Sequence, residues 1–172
     1  MIQFTGNILI IDDDPNNREL VRRRLSKYGF TVLCAGSGSE ALDFVKTKPV
    51  DLVLLDAGIS DMPGIDVLKK LREMFTVLRL PIVAVTEKTD GSDTVAALLD
   101  AGANDYVTRP IDFPIVLASI QAQLEKKRTE EALYKSEERY RLAMFAANDG
   151  LWDWDLQTDK IYFSPRWKSL IG

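Results

Sequence analysis

Histidine is absent from all 172 residues, and cysteine occurs once, at Cys34. The first absence excludes Ser-His-Asp and Cys-His catalysis, His-containing zinc sites and any phosphohistidine carried within these residues. The second excludes an internal disulfide and a cysteine-rich metal cluster, and fits a reducing compartment. No apolar run approaches the ~20 residues a membrane-spanning helix needs, so no membrane partner is expected. The opening Met-Ile-Gln-Phe-Thr-Gly-Asn has neither the basic region nor the apolar run of a secretory signal, which makes cytoplasm the expected location. A net charge of −4 supplies no basic face for a phosphate backbone, and no nucleic-acid partner is expected. Whatever chemistry these residues perform must run on carboxylates, hydroxyls, lysine and arginine.

Up to about residue 110 short apolar runs alternate with amphipathic stretches. Ile8-Leu9-Ile10-Ile11, Thr31-Val32-Leu33-Cys34, Leu52-Val53-Leu54-Leu55 and Ile82-Val83-Ala84-Val85 read as buried strands, with a weaker fifth at Asp105-Tyr106-Val107. Burial on both faces explains why they are continuously apolar instead of alternating. Leu20, Val21, Leu25 and Tyr28 mark one face of a first helix, and Ile65, Leu68, Leu71 and Phe75 one face of a third. Gly29 closes the first helix, Ser37 or Ser39 caps the second, and Pro81 starts a strand where a missing N–H is tolerated. Strands alternating with helices imply right-handed crossovers and a parallel sheet covered on both faces. The expected fold is α/β and flavodoxin-like, five parallel strands in the order 2-1-3-4-5, with ligands at the carboxyl ends of the strands.

Beyond Pro110, Ile115, Val116, Ile120 and Leu124 are placed to pack a fifth helix onto the sheet. The segment Glu125-Lys126-Lys127-Arg128-Thr129-Glu130-Glu131 is almost wholly charged, and Leu133, Tyr140 and Met144 bring apolar positions back. Neither glycine nor proline falls between Pro114 and Gly150, so one helix of roughly 30 residues is expected. Such a helix pairs with a second copy as a short parallel coiled coil or stands as a solvated spacer. Two further strands, Leu151-Trp152-Asp153-Trp154 and Lys160-Ile161-Tyr162-Phe163, flank a turn at Gln157-Thr158-Asp159. Two strands and a helix stub cannot bury these aromatics, which points to a second domain only begun here. The expected division is residues 1–124, a helical linker over 125–145, and the beginning of another domain over 146–172.

Asp12, Asp13 and Asp14 follow the first strand and Asp56 follows the third. A 2-1-3-4-5 sheet makes those two strand ends neighbours, so the carboxylates converge. Like charges held together repel unless a cation or proton intervenes, and oxygen donors of this kind suit Mg²⁺. Thr86 ends the fourth strand, where its hydroxyl can meet a bound phosphoryl group, and Arg109 follows the fifth, where a cation can pair with it. Acidic residues after strands also serve as solvated helix caps, the reading that best suits Asp14.

Ile10-Ile11-Asp12-Asp13-Asp14-Pro15, Asp51 through Asp56, Val85-Thr86 and Ala101-Gly102-Ala103-Asn104-Asp105-Tyr106-Val107-Thr108-Arg109-Pro110 together resemble the response-regulator receiver family over about residues 7 to 124. The resemblance implies that Asp56 is the phosphoacceptor. It also implies that Asp13 and Asp56 bind Mg²⁺ directly, that Asp12 acts mainly through water, and that the Gly58 carbonyl is a further ligand. Thr86 and Tyr106 become the hydroxyl and aromatic whose rearrangement reports phosphorylation, and Gly58 and Lys88 lie where the family tunes the phosphoryl lifetime. The implied partner is a histidine kinase or phosphotransfer protein. The chain itself is then a phosphoacceptor and not an enzyme. A pseudo-receiver that acts by protein contact alone is the alternative.

Three departures bear on mechanism. Arg109 stands where the family nearly always has lysine, and Glu87 where it favours a small residue. A carboxylate at that point repels phosphate unless it turns outward or meets Arg109. The loop Ala57-Gly58-Ile59-Ser60-Asp61-Met62-Pro63-Gly64 has Ser60 in place of the usual proline, with its own proline displaced to Pro63. The tail, notably Ala146-Ala147-Asn148-Asp149-Gly150-Leu151-Trp152-Asp153-Trp154 and Tyr162-Phe163-Ser164-Pro165-Arg166-Trp167, resembles the opening of a PAS sensory domain. That resemblance implies an output elsewhere, a histidine kinase or a cyclic-dinucleotide enzyme; the expected partner of the long helix is a second copy, giving a homodimer.

Overall fold

The computed structural model describes residues 4–146, 152–155, 157–164 and 167–169. The chain divides into two compact units, Met1–Arg128 and Thr129–Gly172. In the first, β1 (Asn7–Ile11), β2 (Thr31–Ala35), β3 (Leu52–Asp56), β4 (Ile82–Glu87) and β5 (Asp105–Arg109) form one parallel sheet in the order β2-β1-β3-β4-β5. Between them run α1 (Pro15–Lys27), α2 (Gly38–Thr47), α3 (Gly64–Met74) and α4 (Ser92–Asp100), and α5 (Phe113–Ala146) follows β5. The strand order, the helices and the length of α5 agree with the sequence reading.

Each strand sends alternate side chains to opposite faces, and both faces are dry. Leu9, Ile11, Val53, Leu55, Ile82 and Ala84 meet α2, α3 and α4 through Ala41, Val45, Val67, Leu68, Leu71 and Leu98. Ile8, Ile10, Leu52, Leu54, Val83 and Val85 meet α1 and α5 through Val21, Leu25, Phe113, Val116, Ile120 and Leu124. Burying a Leu or Ile side chain contributes roughly 1.5–3 kcal/mol. Central strands carrying such residues on both faces therefore hold the sheet rigidly.

The helix ends follow local chemistry. Asp14 is the N-cap of α1, accepting from the Asn16 N–H at 2.8 Å, with Pro15 next to it. At the other end Gly29, at φ +98°, lets its own N–H reach the Ser26 carbonyl and that of Phe30 reach Leu25, the paired bonds of a left-handed cap. Ser37 and not Ser39 caps α2, accepting from Glu40 N–H, while the Glu40 carboxylate returns to the N–H of Gly36. Two expected core positions lie outside. Leu20 is 54% exposed and Ile115 58% exposed, because the buried stripes run through Val21 and Val116 instead. Neighbouring residues on a helix diverge by about 100°, so only one member of each adjacent apolar pair can face the sheet.

At the amino end of the sheet, away from the acidic residues, Arg72 spans four backbone carbonyls. Its Nε donates to Gly102 at 2.8 Å, and its Nη1 to Leu80 at 2.9 Å and to Phe75 and Thr76 at 3.4 Å. Burial lowers its pKa to about 10, which leaves it charged at neutrality. Its Nη2 donates to Asn104 Oδ1 at 2.9 Å, and the same oxygen accepts from the Ile82 N–H at 2.9 Å. Lys127 of α5 reaches Asp51 Oδ1 at 3.2 Å, while Asp51 Oδ2 accepts from the N–H of Asn7, and Arg128 donates to Thr5.

In the second unit, β6 (Trp152–Asp155) and β7 (Lys160–Phe163) form an antiparallel hairpin, as the sequence suggested. Asp155 organises its turn by accepting from the N–H groups of Gln157 and Thr158 and from the Thr158 hydroxyl. The expectations for Ala147 to Leu151, Pro165 and Arg166 lie outside the described residues. Asn104→Ala strands the fully buried Ile82 N–H and one edge of Arg72. Urea unfolding should show a loss of about 1–3 kcal/mol, the cost of leaving such a group unpaired.

Candidate functional site

Four strand ends converge at the carboxyl edge of the sheet. Ile11 is in register with Leu55, so Asp12, next after β1, emerges beside Asp56, the last residue of β3. Asp56 is in register with Val85, and Glu87 with Arg109. Asp12, Asp13 and Asp56 can each offer one carboxylate oxygen with all three oxygens within 4.8 Å of one another. Asp12 is 5% exposed.

Arg109 sits among them. Its Nη2 donates to Asp12 Oδ2 at 2.6 Å and to Asp56 Oδ2 at 3.0 Å, and its Nε lies 3.4 Å from Glu87 Oε1. Burial alone lowers the Arg109 pKa, but the Asp12 hydrogen bond and the Asp56 charge together outweigh it and raise it. The remaining oxygens are also engaged. Asp12 Oδ1 accepts from the Asp14 N–H at 2.8 Å, and Asp56 Oδ1 from the Gly58 N–H at 3.0 Å. Glu87 is turned outward, its side chain 61% exposed, and it meets Arg109. Those were the two conditions under which its charge is tolerable.

Thr86 is 1% exposed, and its hydroxyl has no hydrogen-bond partner. Buried polar groups are ordinarily paired, so an orphan next to a charged site calls for an explanation. Tyr106 is 40% exposed on β5. The Asp14 carboxylate takes the capping role, and Asp14 and Gly58 each engage the cluster through a backbone N–H.

Two contributors escaped the sequence reading. Arg18 donates to the Asp12 carbonyl at 2.5 Å, and Gly36 leaves room for its guanidinium, since a Cβ there would lie 3.3 Å from Nη1. A cation near a helix N-terminus opposes the helix dipole, which was the available signal that Arg18 has a tertiary task. Asp61 accepts from the N–H groups of Gly38 and Ser39 and from the Ser39 hydroxyl, tying the loop after Asp56 to the start of α2. Those amides hold its carboxyl below the usual range. No local pattern announced that contact.

Residues 8–121 match the Response regulator receiver domain family, and the chain belongs to it. Over 119 residues it is 41% identical to the transcriptional regulatory protein KdpE of Mycobacterium tuberculosis, covering 69% of this chain and 51% of KdpE. It is likewise 41% identical over 125 residues to the DNA-binding response regulator MtrA of Mycolicibacterium smegmatis, covering 73% of this chain and 53% of MtrA. The chain thus spans about half the length of these relatives. The crystal structure of a CheY-like receiver domain protein from Methanospirillum hungatei JF-1 superposes with a TM-score of 0.68 at 25% identity, covering 74% of this chain and 99% of that one.

Gly64 keeps α3 against the end of β3. A Cβ on it would lie 2.7 Å from Ala57 Cα and 2.9 Å from the Asp56 carbonyl oxygen, both backbone atoms that cannot swing aside. Gly64→Ala should cost about 1–3 kcal/mol in denaturant unfolding. Gly91→Ala, whose Cβ meets nothing within 4 Å, should stay within about 0.5 kcal/mol of the parent.

Proposed function

We propose that this receiver takes a phosphoryl group on Asp56 from a histidine kinase or phosphotransfer protein. The observation that carries the reading is the convergence of Asp12, Asp13 and Asp56 beside Arg109 at the carboxyl edge of the sheet. An Asp56 oxygen forms the new bond to phosphorus as the donor's N–P bond breaks and its electron pair returns to the imidazole. The donor histidine comes from the partner, since this chain has none.

A hard, all-oxygen donor set with a net negative charge fits Mg²⁺, with Asp13 and Asp56 as direct ligands, Asp12 acting through water and the Gly58 carbonyl as a further donor. When bound, such an ion offsets the charge on the phosphoryl oxygens. Arg109 supplies a second positive charge at the same place. The orphan Thr86 hydroxyl is the group free to donate to a phosphoryl oxygen, and Tyr106 is the aromatic that follows it. Only a state that interacts differently with phosphorylated and free Asp56 shifts the equilibrium, and a hydroxyl with no bond to lose meets that requirement.

The boundaries near residues 124 and 145, the pairing of α5 with a second copy, and the reading of 146–172 as the opening of a PAS domain belong to the same proposal. Exposed Leu133 and Tyr140, seven residues apart on one face of α5, support the pairing. Trp152, Trp154, Ile161 and Tyr162, each about half exposed on a bare hairpin, support a larger fold around it. No described helix is long and apolar enough to cross a membrane, and cytoplasm remains the proposed location. The relatives are named as transcriptional and DNA-binding regulators, so the exclusion of nucleic acid drawn from net charge finds no support among them.

Incubation with acetyl phosphate and Mg²⁺ should add one acid-stable, base-labile phosphoryl group to Asp56, read by intact-mass spectrometry and absent from Asp56→Asn. No adduct, together with an Asp56→Asn protein that behaves as the parent does, would establish the pseudo-receiver reading instead. Sedimentation equilibrium should give the chain twice the monomer mass and a version ending at Leu124 the monomer mass; equal association states would remove the coiled coil.

A further inference from the structure

We propose that Glu87 is a positioning residue for Arg109, holding the guanidinium at the mouth of the site when a divalent cation displaces it from Asp12 and Asp56. The inference rests on the reading of Asp12, Asp13 and Asp56 as the cation site.

It begins with an accounting of oxygens. Both Oδ1 atoms of Asp12 and Asp56 are held by backbone N–H groups, and both Oδ2 atoms share one nitrogen, Arg109 Nη2. The oxygens that a cation would take most readily are therefore the ones the guanidinium already holds. A cation that takes those Oδ2 atoms takes them from Nη2, so its admission requires Nη2 to withdraw from them. A withdrawn arginine either swings into solvent or finds another anion.

Glu87 is that anion by construction. It pairs with Arg109 in the β4–β5 register, so their backbones stay neighbours whatever the side chains do. Its Oε1 contacts Nε, the nitrogen next to the shared Nη2, at a loose 3.4 Å. The guanidinium thus gives the aspartates one nitrogen and the glutamate another, a separation that the single nitrogen of a lysine does not provide. With the Glu87 side chain 61% exposed, the contact has room to tighten as Nη2 leaves. The arginine and the glutamate then form one device: Arg109 competes for the aspartates, and Glu87 keeps it close when it loses.

Binding of Mn²⁺ to the full chain, read from the electron paramagnetic resonance of the free ion, tests this in four forms: parent, Glu87→Gln, Arg109→Gln and the double variant. Arg109→Gln should bind Mn²⁺ more tightly than the parent, its competitor gone. Glu87→Gln should weaken binding about three- to tenfold when Arg109 is present and by less than about twofold when it is not. An equal factor in both backgrounds would show that Glu87 acts through its own charge, and unchanged or tighter binding would show that it gives Arg109 no seat; either overturns the proposal. Mn²⁺ binding by none of the four, or binding indifferent to Asp13→Asn, would instead remove the cation site, and this inference with it.

Discussion

The register of parallel strands β1, β3, β4 and β5 is the constraint on which the site depends. It places Asp12 beside Asp56 because Ile11 faces Leu55, and Glu87 beside Arg109 because β4 and β5 end together. A slip of one residue would turn every strand side chain to the other dry face, where it meets the wrong helices, and would move Asp12 and Asp56 apart. The apolar cost of such a slip, spread over two dry faces, fixes the geometry of polar groups that would otherwise repel one another apart. Carboxylates held this way need a positive charge, and without a bound ion Arg109 provides it.

The fold was legible because its signals are periodic and redundant. Continuous apolar runs, turn glycines and a capping aspartate all agreed, and strand order then predicted which carboxylates would meet. Side-chain choices within an apolar pair were less legible: Leu20 and Val21, or Ile115 and Val116, differ in direction and not in type, and only packing against the sheet decides between them. Side-chain contacts to backbone groups left less trace. Asp61 reaches the N–H groups of Gly38 and Ser39, whose identity no residue type encodes, and Arg18 reaches the Asp12 carbonyl with only its place near a helix N-terminus as a sign. The orphan state of Thr86 is a property of its surroundings and could not be read from a threonine.

Glu87 and Arg109 make more sense as a pair than singly. A planar cation spans two aspartates through Nη2, and its Nε would otherwise lack a carboxylate. On the proposed function, a glutamate at this edge would by itself oppose an incoming phosphate. Together they satisfy each other, across a strand pair that holds them in place. Each makes the other tolerable at this edge.

The two ends of the sheet are built on opposite principles. At the amino end Arg72, Asn104 and Asp51 hold backbone groups of several strands and loops, and Lys127 and Arg128 tie α5 to the same edge. Connected networks of this kind are costly to rearrange, since displaced groups are left unpaired. At the carboxyl end Thr86 has no partner, and Arg109 divides one nitrogen between two carboxylates. Groups so arranged gain bonds when an anion arrives and lose few. On the proposed function, a response to chemistry at Asp56 is directed to the carboxyl ends of β4 and β5, where Thr86 and Arg109 lie, because the opposite end has fewer bonds to gain by moving.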